Sequence, residues 1–153
     1  MITLVQMSIA AFGTWRKQAI KNYAINKIKA LTWTPEEASV KAHAAYSDLL
    51  PQGLHTPGEL FWTIKHDDEA IGTLWVHIDG DTNHFFIYDI TIDAAQQNQG
   101  FGQETLRVLE KEARRRHISA IDLHVFGDNF RAQHVYQKLG FVTTDINMSK
   151  PLY

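Results

Sequence analysis

The sequence predicts a mixed α/β (α+β) fold, with a largely antiparallel sheet of about seven strands and about four helices. Three strand-like segments, 60–64, 71–78 and 84–92, follow one another with short polar turns between them, which indicates an antiparallel meander. The pattern then changes to strand, helix and strand between residues 84 and 126. Such a crossover connects parallel strands, so the sheet is expected to contain one parallel pair.

The remaining elements follow from periodicity and capping residues. Further strands are expected at 1–6, 121–126 and 141–148, and helices at 9–30, 34–50, 102–117 and 129–139. Ser8 can cap the first helix, and Thr34-Pro35-Glu36-Glu37 combines a cap, a proline at the first position and acids in the first turn. Gly72 interrupts its strand pattern and is expected at a bulge.

Length and charge narrow the class of protein. The length of 153 residues predicts a single domain. The net charge of −2 gives no general electrostatic attraction to nucleic acid or to an anionic membrane. The chain has no cysteine, which excludes disulfides, thiolate metal sites and a cysteine nucleophile. Its eight histidines show no metal-ligand spacing, so no metal is expected. Without a long apolar run or a signal-peptide pattern, we expect a soluble cytoplasmic protein.

A glycine turn joins the third meander strand to the next helix. It reads Gln97-Asn98-Gln99-Gly100-Phe101-Gly102. Glycines let backbone N–H groups approach a ligand, and the N-terminus of a helix attracts phosphate. The turn has no lysine and is therefore not a Walker loop. A phosphate-bearing cofactor is the expected ligand.

A dinucleotide-binding fold is the main competitor. Asp122 follows Gly102 by about 20 residues, as in the Rossmann fingerprint. However, Thr105 occupies the third glycine position, and Asp122 falls inside its predicted strand. The turn also follows an antiparallel meander, whereas a Rossmann unit would begin a parallel sheet. These three observations argue against it.

The turn and a second motif together resemble the GNAT acetyltransferase superfamily. The second motif is Asn129…Ala132…Tyr136-Gln137-Lys138-Leu139-Gly140-Phe141, and the likeness extends over about 85–149. Segments 32–36, 49–57 and 86–89 are similar to a bacterial subgroup typified by the YycN-like proteins. The resemblance implies one acetyltransferase domain over 1–153, with residues 1–83 on the acceptor side and 84–153 binding acetyl-CoA. It also implies that the parallel strand pair is splayed.

The resemblance implies acetyl-CoA as co-substrate. Its pantetheine arm would pair with the end of the strand before the turn, and its pyrophosphate would lie on the turn. The implied cofactor-binding residues are Ile90, Thr91, Ile92, Gln97, Asn98, Gln99, Gly100, Phe101, Gly102, Gln103, Asn129 and Tyr136. Gln97 stands where the family most often has arginine, so weaker attraction for pyrophosphate is expected.

The resemblance places Tyr136 near the thioester sulfur, where it would protonate the leaving thiolate. The attacking amine must lose its proton, and Asp89 is the first candidate for the base, with His124 as a second and no dedicated base as a third. Strand alternation predicts that Tyr88 and Asp89 point to opposite faces, so that only one of them faces the cleft.

The predicted reaction is direct acetyl transfer to an amine of a small molecule or peptide. Aromatic and histidine candidates for the acceptor pocket are Trp33, Tyr46, His55, Trp62 and Trp75, although each is also a reasonable core residue. A non-catalytic acyl-CoA-binding or sensor module is the alternative function. A homodimer remains open, since dimers are common in the family.

Overall fold

A computed structural model describes residues 1–152 of the chain. Backbone proximity divides it into two units, Met1–Leu123 and His124–Tyr153. The helices and strands of the first unit are β1 (Ile2–Gln6), α1 (Ile9–Lys29), α2 (Pro35–Leu49), β2 (Glu59–His66), β3 (Glu69–Asp79), β4 (His84–Ile92), α3 (Phe101–Arg115) and β5 (Ala120–Leu123). In the second unit, α4 spans Phe130–Lys138.

The sheet has the predicted mixed topology. Its strand order is β1-β2-β3-β4-β5, and β1 to β4 pair antiparallel with their neighbours in sequence. β4 and β5 are parallel, with His84 opposite Ala120 and Ile87 opposite Leu123. The meander and the parallel pair are therefore confirmed, as are four α-helices among the described residues.

The predicted number of strands was wrong, because the sheet formed by residues 1–152 has five strands and not about seven. Residues 141–148, expected as the last strand, form no strand, and β5 ends at Leu123 instead of continuing to 126. Val142, Ile146 and Met148 are exposed. A strand-like local sequence does not make a strand by itself, because its backbone groups also need a ladder partner.

Two β-bulges interrupt the register of the sheet. In the β2–β3 ladder, Ile64 pairs with Gly72 and Lys65 pairs with Ala70. Ile71 is therefore the extra residue on β3. Gly72 adjoins this bulge, and a Cβ at its position would lie 2.1 Å from the Thr91 carbonyl oxygen. In the β3–β4 ladder, Tyr88 is the extra residue on β4. Bulges of this kind re-aim side chains and are common beside active sites.

The sheet face that carries Phe61 and Trp75 packs against α1 and α2. Buried residues of this core are Met7, Phe12, Trp15, Leu50, Phe61 and Trp75. α3 contacts β1, β4 and β5, and its Leu109 is completely buried. No helix within residues 1–152 combines the length and apolar character that a membrane crossing requires.

Candidate active site

A cavity of about 600 Å³ lies between α1, α2 and strands β2 to β4. Its lining residues are Ala11, Thr14, Trp15, Gln18, Ala19, Asn22, Tyr23, Asn26, Tyr46, Thr63, Ala70, Gly72, Thr73, Trp75, Tyr88, Asp89, Thr91 and Asp93. The volume lies within the range of small-molecule sites. Among the described residues, Asp89 and Asp93 are the only charged ones that line it, so the cavity favours a cationic guest.

The bulge on β4 brings two neighbouring side chains into this cavity. Trp75 is paired with Asp89 and Val76 with Ile87, which leaves Tyr88 between them. Both Tyr88 and Asp89 line the cavity. The prediction that only one of them faces the cleft was therefore wrong, because the bulge breaks the two-residue alternation on which it rested.

The carboxylate of Asp89 is oriented from two sides. The Trp15 indole Nε1 donates to Oδ2 at 3.3 Å, and the Thr91 hydroxyl donates to Oδ1 at 3.0 Å. Each oxygen retains acceptor capacity after one such bond. The carboxylate can therefore still accept a hydrogen bond from an ammonium or amine group in the cavity.

Aromatic rings form the wall around Asp89. Tyr88 stacks on Trp75 with centroids 4.5 Å apart, and Tyr46 lies 5.7 Å from Tyr23 and 6.2 Å from Trp75. Burial, with the nearby charges of Asp89 and Tyr23, raises the pKa of Tyr46 to about 12. Tyr46 thus keeps its phenolic proton near neutral pH, and the ring faces offer cation–π contacts to a protonated amine.

Two of the five predicted acceptor-side residues, Tyr46 and Trp75, line the cavity. Trp33 packs edge-on against Tyr23, Trp62 is buried in β2 on the sheet face opposite Phe61, and His55 is exposed. None of the five predicted acceptor-side residues lies on α1, although eight residues of this helix line the cavity. A signal was present, since Gln18, Asn22 and Asn26 recur at four-residue intervals, which places them on one face of a helix.

The glycine turn presents free backbone donors at the start of α3. Gly100 has φ = +82°, a left-handed conformation that suits glycine. Within residues 1–152, the N–H groups of Phe101, Gly102 and Gln103 have no backbone or side-chain acceptor. A Cβ on Gly102 would meet nothing within 4 Å. Free donors beside open space at a helix N-terminus suit a pyrophosphate.

The end of β4 leads into this turn. The β4–β5 ladder stops at Ile87, whereas β4 continues to Ile92. Asp93 donates its N–H to the Ile71 carbonyl of β3, so by antiparallel alternation Ile92 and Ile90 direct their backbone groups away from β3. The Ile92 carbonyl accepts the Gln97 Nε2 at 2.8 Å. The backbone N–H and carbonyl of Ile90 and the N–H of Ile92 are therefore oriented to form hydrogen bonds with an extended ligand that contains amide groups.

A buried carboxylate lies next to the aromatic wall. Glu59 has a side chain only 5% exposed and accepts a hydrogen bond from His77 Nδ1 at 2.8 Å. Burial raises the pKa of the Glu59 carboxyl, while His77 acts in the opposite direction. The His77 ring lies 6.0 Å from the Tyr88 ring. The buried Trp75 Nε1 makes no hydrogen bond within the described residues.

The second unit carries the other predicted site residues. Asn129 caps α4, where its side chain accepts the Ala132 N–H at 3.2 Å. Burial raises the pKa of Tyr136, whose ring lies 5.6 Å from that of Phe141. His124 is exposed. The functional roles of these three residues stay predictions. No cluster of three or more potential metal ligands occurs among the described residues.

Comparisons with known proteins agree with these features. The model of the acetyltransferase (GNAT) family matches residues 22–141. The uncharacterized N-acetyltransferase YycN of Bacillus subtilis is 35% identical over 99% of both chains, and YdgE of the same organism is 34% identical over 98% of both. The crystal structure of YycN superposes with a TM-score of 0.89, covering 100% of this chain and 99% of that one.

A more distant solved structure shares the fold. It is the PaiA N-acetyltransferase of Thermoplasma acidophilum, which is 20% identical with a TM-score of 0.67 and covers 96% and 93% of the two chains. The family model spans well over half of the chain, and the two Bacillus relatives span nearly all of it. The chain therefore belongs to the GNAT family of N-acetyltransferases.

Proposed function

We propose that this enzyme transfers the acetyl group of acetyl-CoA directly to the amine of a small molecule or peptide. One observation carries the proposal. The bulge at Tyr88 lets Tyr88 and Asp89 both line an amine-compatible cavity, and the same strand continues to Ile92, where the acetyl-CoA arm would lie. One strand would thereby align the amine with the thioester, which is a major source of rate in a two-substrate transfer.

The proposed acetyl-CoA site comprises the end of β4 and the glycine turn. The arm would pair with Ile90, Thr91 and Ile92, and the pyrophosphate would accept hydrogen bonds from N–H groups between Gln97 and Gln103. The Thermoplasma protein of the same fold was solved in complex with coenzyme A, which supports a coenzyme A thioester as the ligand class. The family resemblance implies that Asn129 and Tyr136 of the second unit also contact acetyl-CoA.

The amine would enter protonated and would be held by Asp89 among aromatic rings. Asp89 takes a proton from the ammonium group, directly or through water, and the neutral nitrogen attacks the thioester carbonyl. The Ile92 N–H is our candidate for polarising that carbonyl. As the carbon–sulfur bond breaks, Tyr136 gives its proton to the thiolate. The acylated nitrogen then loses its second proton, which restores the Tyr136 hydroxyl through solvent. The products are the N-acetylated amine, coenzyme A and the proton taken up by Asp89.

Two measurements test the proposal in sequence. Acetyl-CoA at about 100-fold over its dissociation constant should stabilise the protein by roughly 2.7 kcal/mol, and NAD should not. Amine-dependent transfer should then fall at least about 100-fold in Asp89→Asn and in Tyr136→Phe, the scale of lost acid–base catalysis. Binding without transfer to any amine would instead support the acyl-CoA-binding module.

The base assignment has its own control. His124→Ala should retain transfer within about 3-fold if Asp89 is the base, because proton transfer catalysis contributes at least about 100-fold. Loss of activity in His124→Ala with retention in Asp89→Asn would reassign the base to His124. Full activity in Tyr136→Phe would show that the acid assignment is wrong.

A further inference from the structure

A row of uncharged hydrogen-bonding side chains on α1 forms one wall of the cavity. Gln18, Asn22 and Asn26 follow one another at four-residue spacing, and all three line the cavity. Gln18 Nε2 donates to Asn22 Oδ1 at 2.9 Å, which joins the first two members. Each amide presents both donor and acceptor groups, so the row can bind hydroxyl or amide groups of a guest.

The polarity of this row differs from that of the rest of α1. The helix carries five charged side chains, all of them basic and none of them lining the cavity: Arg16, Lys17, Lys21, Lys27 and Lys29. A merely solvated helix face would be expected to mix charged and neutral polar residues. Here the cavity side has only neutral donors and acceptors. This segregation indicates a surface for uncharged polar groups.

The row extends along α1 away from Trp15, the residue that contacts Asp89. Trp15 contacts Asp89, and Asn26 lies eleven residues further along α1. At 1.5 Å per residue this is about 16 Å, and Asn22 lies about 10 Å along. A short amine held at Asp89 would not reach these amides, whereas an elongated amine would.

A positive charge already lies beside the Tyr23 side of the cavity. Lys27 Nζ lies 5.5 Å from the centroid of the Tyr23 ring and 5.6 Å from that of Trp33. Tyr23 lines the cavity, so its ring already has a cation beside it. A second ammonium group of an acceptor would be repelled there.

We propose that Gln18, Asn22 and Asn26 bind the body of the acceptor, which is an elongated primary amine carrying uncharged hydroxyl or amide groups. The row determines specificity, while Asp89 holds the reactive nitrogen. This inference rests on the proposed acetyl transfer and adds the class of acceptor to it.

A panel of four primary amines tests the class of acceptor. Glucamine has a hydroxylated body, triglycine amide has an amide body, hexylamine has an apolar body, and 1,6-diaminohexane has a second ammonium group. We expect kcat/KM for glucamine or triglycine amide to exceed the values for hexylamine and diaminohexane by about 10-fold or more, the scale of one added hydrogen bond. The ranking of the first two identifies hydroxyl or amide chemistry.

The variant Asn22→Leu tests the row itself, and Lys21→Leu is its matched control on the next position outside the cavity. Leucine is a better helix former than asparagine, so folding should be retained. Asn22→Leu should lower kcat/KM for the preferred polar amine about 10-fold, whereas kcat/KM for hexylamine should change less than 2-fold. Lys21→Leu should change neither.

The two proposals fail in distinguishable ways. Equal kcat/KM for hexylamine and the polar amines, or an Asn22→Leu variant indistinguishable from the parent, would overturn the specificity row and leave acetyl transfer intact. A preference for diaminohexane would overturn it as well. No coenzyme A release with any amine, despite acetyl-CoA binding, would contradict the acetyl transfer on which it rests.

Discussion

Trp15 on α1 donates its indole N–H to Asp89 on β4 at 3.3 Å, joining residues 74 positions apart in sequence. The Trp15 ring also packs 5.1 Å from Phe61 and 5.4 Å from Trp75, so its position is fixed by the core. A core residue of the helix thereby orients one of the two carboxylates that line the cavity. The helix and the bulged strand form one site.

Trp15→Phe should separate this orienting role from packing. The substitution keeps an aromatic ring but removes the N–H, so kcat/KM for the amine should fall about 10-fold, as expected for one hydrogen bond to a charged group. The dissociation constant for acetyl-CoA should stay within 2-fold, as measured by calorimetry. Trp33→Phe, which removes an indole that makes no hydrogen bond to Asp89, is the control. Equal losses in both variants would contradict the orienting role.

Gly72 is required by the close approach of β3 and β4. A Cβ there would lie 2.1 Å from the Thr91 carbonyl oxygen, and backbone on both sides cannot move without breaking the ladder. Gly72→Ala should therefore lower the free energy of unfolding by about 2–4 kcal/mol in urea titrations. Gly13→Ala, at a helix position with nothing within 4 Å, should raise it by about 0.5–1 kcal/mol. A neutral Gly72→Ala would contradict the assigned register.

Gly102→Ala tests the glycine turn as a ligand site. Gly102 has no positive φ, and a Cβ there would enter open space, so the free energy of unfolding should stay within about 0.5 kcal/mol. The methyl group would nevertheless occupy space beside the free N–H donors, and the dissociation constant for acetyl-CoA should rise about 10-fold or more. Gly80→Ala, also in open space but in the β3–β4 turn, should leave binding unchanged. Unchanged binding in Gly102→Ala would mean that the turn is purely structural.

Tyr46 gives the protein a defined response to alkaline pH. Its folded pKa of about 12 lies above the value of 10.0 for an unperturbed tyrosine, chiefly because of burial. Below pH 10 both the folded and unfolded chains keep the proton. Between pH 10 and 12 the unfolded chain loses it first, so the contribution of Tyr46 to stability falls as the pH rises.

The matched variant isolates this contribution. Tyr46→Phe removes the titrating group and should flatten the decline of the unfolding free energy between pH 10 and 12, with equal slopes expected at pH 7 to 9. Urea titrations of the parent and the variant across this range supply the comparison. Identical slopes above pH 10 would show that burial does not hold the proton on Tyr46.

Much of the fold could be predicted because local signals agreed with the tertiary structure. β4 has the predicted bounds of 84–92, and Ser8 caps α1 as expected by accepting the Ala11 N–H. Residues 141–148 show the limit of such reasoning. Their position after the last helix and their apolar residues suggested a strand, but pairing depends on a partner that no local pattern specifies.

The site was less predictable than the fold for a related reason. A bulge depends on the register of two strands. The dipeptide Tyr88-Asp89 therefore gives no local signal that both side chains line the same cavity. The link from Trp15 to Asp89 depends on how α1 crosses the sheet. The amides of α1 were visible as a periodic row, yet only the cavity distinguishes them from an ordinary solvated helix face.

The central claim is that acetyl-CoA donates its acetyl group to an amine in the Asp89 cavity. The most direct test follows free thiol from acetyl-CoA together with the acetylated amine by mass spectrometry, and the chain contributes no thiol of its own because it has no cysteine. Thiol and acetylated amine should form in a one-to-one ratio and only in the presence of the amine, and Asp89→Asn should suppress both. Thiol release that is independent of the amine, or an unaltered rate in Asp89→Asn, would contradict it.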